Sequence, residues 1–171
     1  MVKKVALFLF ITLLPNNIQT KEDCIFCKQL AENKDEENFL LKTFDHFAIF
    51  LTLYPLNKGH IIIVPNRHIE QMNGLSKKEK MELIEILNQS VMILKKAVQA
   101  DGVNVGINAG RINAAHKPDH IHIHVIPRFE ATNPHFVPKG FIQIACETEV
   151  IHWNLKNLYD DLKKEFDNIE L

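Results

Sequence analysis

Apolar positions along the chain change period several times, and each change marks an element. Phe47-Ala-Ile-Phe-Leu-Thr-Leu53 is a continuous run of strand length, followed by the turn-rich Tyr54-Pro-Leu-Asn-Lys-Gly59. His60-Ile-Ile-Ile-Val64 is a second such run, stopped by Pro65. Two β-rich runs joined by about six residues pair most simply as antiparallel neighbours. Upstream, residues 28–38 are polar and read as helix plus loop. Downstream, Ser76-Lys-Lys-Glu79 is a capping box, which predicts a helix from 76 to about Gln99 with Asp101-Gly102 as its stop. Ile84, Leu87, Val91, Leu94 and Val98 make one stripe along it, and Leu83, Ile86, Ile93 and Ala97 a second. One stripe suffices to dock a helix on a sheet. The second leaves two readings open, contact with a partner copy or deeper burial in the helix's own core.

Val103-Asn-Val-Gly-Ile-Asn108 then alternates, with Val103, Val105 and Ile107 on one face. Ala109 to Asp119 reads as a loop, His120 to Pro127 as the next strand, and Phe141 to Cys146 as a last one. Ile151, Leu155, Leu158, Leu162 and Phe166 mark a terminal amphipathic helix. This order predicts an α+β fold with an antiparallel sheet. The 171 residues, 46% hydrophobic and 24% charged, suit one domain spanning 21–171. A net charge of -1 offers no global basic field for a nucleic-acid polymer, so an anionic ligand must be held by local groups.

The amino terminus departs from this pattern. Met1-Val-Lys-Lys precedes an apolar run from Val5 to Leu14, broken only by Thr12 and ended by Pro15-Asn16-Asn17. Ten residues are too few to span a bilayer as a helix but suit the apolar region of a secretory signal. No small-x-small cleavage site lies between Asn16 and Asp23. Two readings of residues 1–20 therefore stand, a signal or membrane-proximal anchor and a short apolar helix. Membrane contact is expected only if that segment is retained.

Nine histidines is a high count, and three fall within five residues. In His120-Ile-His-Ile-His-Val-Ile126 the period is two, so all three imidazoles face one side while Ile121, Ile123 and Val125 face the other. A one-residue slip would bury the histidines and expose the aliphatics, so the apolar set pins the register. Alternate residues lie about 6.5–7 Å apart, near enough for the rings to share one small ligand. A neutral imidazole is a nucleophile toward phosphorus, and neighbouring rings can donate to phosphoryl oxygens. His-x-His on a strand also grips catalytic zinc. From the residues alone both chemistries stay open. The three cysteines make no disulfide framework, and Cys24-Ile-Phe-Cys27 has the spacing of a metal or redox pair.

As an ordered set these residues resemble the histidine-triad family of nucleotide hydrolases and transferases. The resemblance rests on Cys24-Ile-Phe-Cys27, Gly59-His60 opening an aliphatic strand, Pro65-x-x-His68, Asp101-Gly-x-Asn-x-Gly-x-Asn108, Gly110-Arg111, and the triad followed by Pro127-Arg128. Pro118-Asp119 and Asn133 resemble the branch containing prokaryotic diadenosine tetraphosphate phosphorylases. The resemblance implies that His122 is the nucleophile and forms a nucleotidyl-histidine intermediate, that His124 contacts the transferred phosphate, and that His60 completes the polar wall. It implies nucleotide contacts from Asn108 and Asn133. It also implies zinc on Cys24, Cys27, His68 and His120. Two thiolates and two imidazoles make a closed tetrahedral set, hence a structural metal with no cofactor needed for catalysis. Empty, reduced cysteines or a Cys24–Cys27 disulfide are the alternatives. The implied fold is a five-stranded antiparallel sheet with a long helix and a C-terminal helix, paired into a homodimer through the long helix, here 76–100.

The chain departs from the family pattern in two places. Glycine-rich or Gly-Gln-Ser/Thr sequences are usual before the triad, and here that loop is Asn113-Ala-Ala-His-Lys117. His116 and Lys117 would bring positive charge to a polyphosphate, or stay solvated. Thr52 stands eight residues before His60, where an acidic or amide residue usually meets the ribose; its hydroxyl is a weaker partner. Phe50 and Tyr54 are candidates for a base pocket or for core. The expected function is cleavage at an α-phosphate of dinucleoside polyphosphates such as diadenosine tetraphosphate. Nucleoside phosphoramidate hydrolysis, nucleotide binding with little turnover, and metal-dependent hydrolysis at a triad-bound ion are the alternatives. A nucleotide substrate favours the cytoplasm, whereas the signal-like start favours export.

Overall fold

The computed structural model describes residues 24–32, 34–107, 120–130 and 154–171. Their elements run α1 (Ile25–Ala31), α2 (Asp35–Asn38), β1 (Leu40–Thr43), β2 (Phe47–Leu51), β3 (Ile61–Pro65), α3 (Lys77–Ala97), β4 (Gly102–Ile107), β5 (Ile123–Arg128) and α4 (Leu155–Asp167). The five strands form one antiparallel sheet in the order β1-β2-β3-β5-β4, so the last strand inserts between β3 and β4. The α+β expectation holds.

Every residue of β2 and β3 is buried, which is why both read as unbroken apolar runs rather than alternating ones. One face of the sheet, with Phe47, Ile49, Leu51, Ile61, Ile63, Ile123 and Val125, shares a core with residues of α3 and α4. The other face carries a smaller cluster of Leu40, Ala48, Phe50, Ile62 and Val64, against which Phe26 and Leu30 of α1 pack. β1 is not announced by the sequence pattern. It has four residues, and its two leucines go to opposite faces, so no alternation is long enough to read. β2 ends at Leu51, two residues short of the expected end, and Leu53 is exposed. The strand expected over Phe141–Cys146 lies outside the described residues, as does Ile151.

The capping box forms as expected. Glu79 N–H donates to Ser76 Oγ at 3.2 Å, and Ser76 N–H donates to the Glu79 carboxylate at 2.6 Å. The helix stops before Asp101-Gly102, because Val98 caps it and Gln99 takes a left-handed φ of 56°. Leu83, Ile86, Ile93 and Leu94 are buried, whereas Ile84 is 55% exposed and Met81 and Met92 are more so. The second stripe therefore docks on the core and part of the first faces outward. On α4, Leu158, Tyr159, Leu162 and Phe166 are buried, and the Tyr159 hydroxyl donates to the Leu40 carbonyl, tying the helix to β1. No described helix is long and apolar enough to cross a membrane, and residues 1–20 lie outside the description.

Glu79 does more than cap. Its side chain is buried, and Arg67, from the loop after β3, donates to both carboxylate oxygens at 2.6 and 2.9 Å. Arg67 also donates to the Gly74 carbonyl at 2.7 Å. The loop over residues 66–74 is thereby clamped to the start of α3. Arg67, and then the Ser76 bonds, hold the Glu79 carboxyl down at about 2 despite its burial. This stabilisation is complete above pH 4.5 and is lost as pH falls through about 2. Glu79→Ala should lower the unfolding free energy by roughly 2–3 kcal/mol at neutral pH. Urea denaturation measures it, and a loss below about 0.5 kcal/mol, the size of an ordinary surface change, would rule the clamp out.

Candidate functional site

The sheet ladder of β5 begins at Ile123, three residues after the point expected from sequence. The Ile121 N–H is taken by the Ile69 carbonyl at 2.6 Å, so the entry to the strand pairs with the loop after β3 instead of the sheet. The period of two survives this detour. Ile121, Ile123 and Val125 enter the large core. His124 lies opposite Ile62, a member of the smaller cluster, and so occupies the other face. His122 and His124 are half-buried there, with ring centroids 4.8 Å apart, while His120 is buried. The expected separation of imidazoles from aliphatics is present.

Backbone partners fix the proton positions on His122 and His60, and His60 in turn fixes that on His124. His122 Nδ1 lies 3.1 Å from the His120 carbonyl, which can only accept, so Nδ1 carries the proton and Nε2 the lone pair. The Leu56 N–H donates to His60 Nδ1 at 3.1 Å, so neutral His60 is protonated on Nε2. That Nε2–H donates to His124 Nδ1 at 3.0 Å, which places the His124 proton on Nε2. Burial pushes His60 well below its ordinary value, helped by the nearby His124 and His122 rings. Burial, then His122, lowers His124 to about 4. His122 is lowered by burial and partly restored by its bond to the His120 carbonyl. The rings are neutral near pH 7, so the assigned tautomers hold and one lone pair, on His122, stands beside a ring whose proton lies on Nε2.

The fourth histidine contact is of another kind. His120 Nδ1 lies 3.3 Å from Cys24 Sγ and 3.6 Å from Cys27 Sγ, and His68 Nδ1 is 3.4 Å from Cys27 Sγ. All four ligand atoms fall within 4.8 Å of one another. A tetrahedron with ordinary zinc bond lengths has edges of about 3.4–3.8 Å; the three contacts of 3.3–3.6 Å are of that size, and two thiols with two imidazoles are the donor chemistry zinc takes. His120 Nε2 meets the Pro65 carbonyl at 3.0 Å, which keeps the proton on that nitrogen and turns Nδ1 toward the sulfurs. Cys24 and Cys27 are not joined to each other by a disulfide.

Thr52 is half-buried, and its Oγ1 accepts the Tyr54 N–H at 3.3 Å; its own N–H donates to the His60 carbonyl. Phe50 is buried in the smaller cluster, and Tyr54 is 76% exposed. Asn108, His116, Lys117 and Asn133 lie outside the described residues. Two residues join the site that motif reading passes over. Phe26, inside the Cys-x-x-Cys, packs 5.2 Å from His122 and 5.8 Å from His120, between the sulfur cluster and the triad. Asn57, in the connector before His60, is wholly buried. Its only sequence signal is an amide in the turn, one residue removed from Gly59-His60.

The model of the HIT domain family matches residues 33–131. An uncharacterized HIT-like protein of Methanocaldococcus jannaschii is 36% identical over 107 residues, covering 63% of this chain and 80% of its own length. An AP-4-A phosphorylase of Mycobacterium tuberculosis is 30% identical, covering 59% of this chain; the match spans about half, 52%, of the phosphorylase. An adenosine 5'-monophosphoramidase of Schizosaccharomyces pombe is 33% identical, covering 61% of this chain and 74% of its own. Among solved structures, a hypothetical histidine triad nucleotide-binding protein of Sulfolobus tokodaii aligns with TM-score 0.66 and 26% identity, over 85% of this chain and 93% of that one. A zinc-bound histidine triad family protein of Mycobacterium smegmatis shares the fold with TM-score 0.63 and 18% identity, over 86% and 96%.

The neutral, buried imidazoles make stability depend on pH. The unfolded chain takes up protons on His60 and His124 near 6.5, whereas the folded chain holds His124 neutral to about 4 and His60 neutral well below 6.5. Between those limits the unfolded state binds more protons, so stability falls as pH falls. The melting temperature should therefore be level above pH 6.5 and decline from there toward pH 4. His124→Gln should flatten the decline in calorimetry; an unchanged slope would show that His124 is not the group protonated on unfolding.

Proposed function

The chain belongs to the HIT domain family, and we propose on that footing that it is a nucleotide hydrolase or nucleotidyltransferase cleaving at an α-phosphate through His122. The observation that carries this reading is the anchoring of His122 Nδ1–H to the His120 carbonyl, which leaves Nε2 as a fixed lone pair. In the proposed step that lone pair attacks the α-phosphorus. The bond to the leaving oxygen breaks with its electron pair going to that oxygen. His122 becomes a nucleotidyl-imidazolium whose charge the His120 carbonyl steadies through Nδ1–H. His124 Nε2–H and its neighbours donate to phosphoryl oxygens as charge builds there. Water or inorganic phosphate then attacks phosphorus, the P–Nε2 bond breaks with its electron pair returning to Nε2, and the proton given up by the attacking oxygen passes to solvent.

Dinucleoside polyphosphates such as diadenosine tetraphosphate are the proposed substrates, supported by the phosphorylase relative. Nucleoside phosphoramidates are the second reading, supported by the phosphoramidase relative. Thr52, Asn108, His116, Lys117 and Asn133 are the proposed nucleotide contacts. Zinc is proposed on Cys24, Cys27, His68 and His120, supported by the donor set and its spacing. With four protein ligands the ion supplies cross-linking between α1, the loop after β3 and the entry to β5, and no open position for a reaction. A homodimer is also proposed, supported by the outward Met81, Ile84 and Met92 on α3 and by Val105 and Ile107 on the edge strand β4, each more than a third exposed.

His122→Ala should cut kcat by on the order of 10³-fold or more. Rapid quench of the wild type should trap an acid-labile nucleotidyl adduct that the variant lacks. A full rate in His122→Ala would end the proposal. Zinc analysis should find about one ion per chain. Its removal by chelator, or Cys27→Ser, should lower the melting temperature, which a metal serving only the reaction would leave in place.

A further inference from the structure

The connector between β2 and β3 is the part of the site whose polar groups the reaction scheme leaves unused. Asn57 is 0% exposed, a rare setting for an amide unless every group is bonded. Its Nδ2 donates to the Pro127 carbonyl on β5 at 2.9 Å, and its Oδ1 accepts the Lys58 N–H at 3.1 Å. Its own carbonyl accepts the His60 N–H at 3.1 Å. One residue thus binds the backbone beside His60 and, seventy positions away in sequence, the strand that carries His124. The residue before it supplies the Leu56 N–H that occupies His60 Nδ1. Gly59 closes the turn with a φ of +79°, and a Cβ there would press on Val98 and Pro127 at 3.1–3.3 Å. The turn is therefore both shaped and seated against β5 before His60 begins.

We infer that Asn57 is a positioning residue that sets the proton arrangement of the site: it seats the 55–59 turn on β5 so that Leu56 N–H meets His60 Nδ1, and His60 passes that choice to His124. The inference rests on the proposed role of His124 as a donor to the phosphoryl group. An imidazole has two tautomers of similar energy, and the one it adopts is decided by whichever nitrogen meets a fixed partner. With Leu56 N–H as an obligatory donor, His60 must accept at Nδ1 and donate at Nε2. His124 must then accept at Nδ1 and keep its proton on Nε2. Withdrawing the Asn57 amide frees the turn from Pro127 and removes the constraint at its origin, without touching a ring. Phosphoryl transfer would lose the donor and keep the nucleophile.

The test uses the full chain with its metal bound. In the wild type, long-range proton–nitrogen correlation spectra of the imidazoles should show both His60 and His124 protonated on Nε2 alone at pH 7. A wild-type His60 protonated on Nδ1 overturns the inference outright, whatever any variant does. In Asn57→Ala, the His60 signals should become a mixture of both tautomers. With diadenosine tetraphosphate, kcat should fall about 10- to 100-fold while KM stays within about twofold. A variant that folds, keeps the wild-type ring pattern and keeps its kcat overturns the inference. Should the wild type turn over none of the nucleotides offered, the proposed function fails, yet the ring spectra still decide the role of Asn57.

Discussion

The alternation of aliphatic and imidazole side chains along one strand is the constraint on which the rest depends. Ile121, Ile123 and Val125 are buried in the main core, and β5 pairs on both edges, with β3 and with β4. Register on such a strand is set by several apolar contacts at once, and a slip of one residue would cost all of them. The histidines are held by the cost of moving their neighbours. That is a firmer support than hydrogen bonds among the rings could give, because the rings must exchange partners during a reaction and the aliphatics need not.

The same strand places its histidines in two settings by where it joins the sheet. His124 falls inside the ladder, next to β3 and within reach of His60. His120 falls before the ladder, in a stretch bonded to the loop after β3, and so meets Cys24, Cys27 and His68. His122 stands between, its Nδ1 bonded to the carbonyl of His120. Loss of order in the sulfur cluster would therefore reach His122, the proposed nucleophile, through a single carbonyl group and through Phe26, whose ring touches both histidines. The proposed metal cross-link would thus bear on the rate without any chemistry of its own.

Much of this was legible in the sequence, for reasons that can be named. The period-two run, the capping box at Ser76 and the buried runs of β2 and β3 are local signals, each complete within a few residues. The ordered motifs placed Cys24, Cys27, His68 and His120 together correctly, although 93 or more residues separate the cysteines from His120. What escaped has no local signature. β1 is too short to alternate, and the late start of β5 depends on a bond to Ile69, fifty-two positions earlier in the chain. Asn57 looks like an ordinary turn residue until its partner, the Pro127 carbonyl, is known. The two stripes on α3 were visible, but which of them faces the core is set by the sheet beneath.

The charge state of the site follows from its burial, and it bears on how an anion could bind there. Desolvation lowers His60, His122 and His124 together, so the free site presents neutral rings rather than fixed cations. A row of imidazolium ions would bind a polyphosphate more tightly, but it would hold the substrate and the transition state alike and would occupy the lone pair of His122, the proposed nucleophile. Neutral rings of assigned tautomer leave the His122 lone pair available. They concentrate their hydrogen bonds where negative charge grows during transfer. Burial, often a cost for a polar group, here favours the unprotonated form of His122.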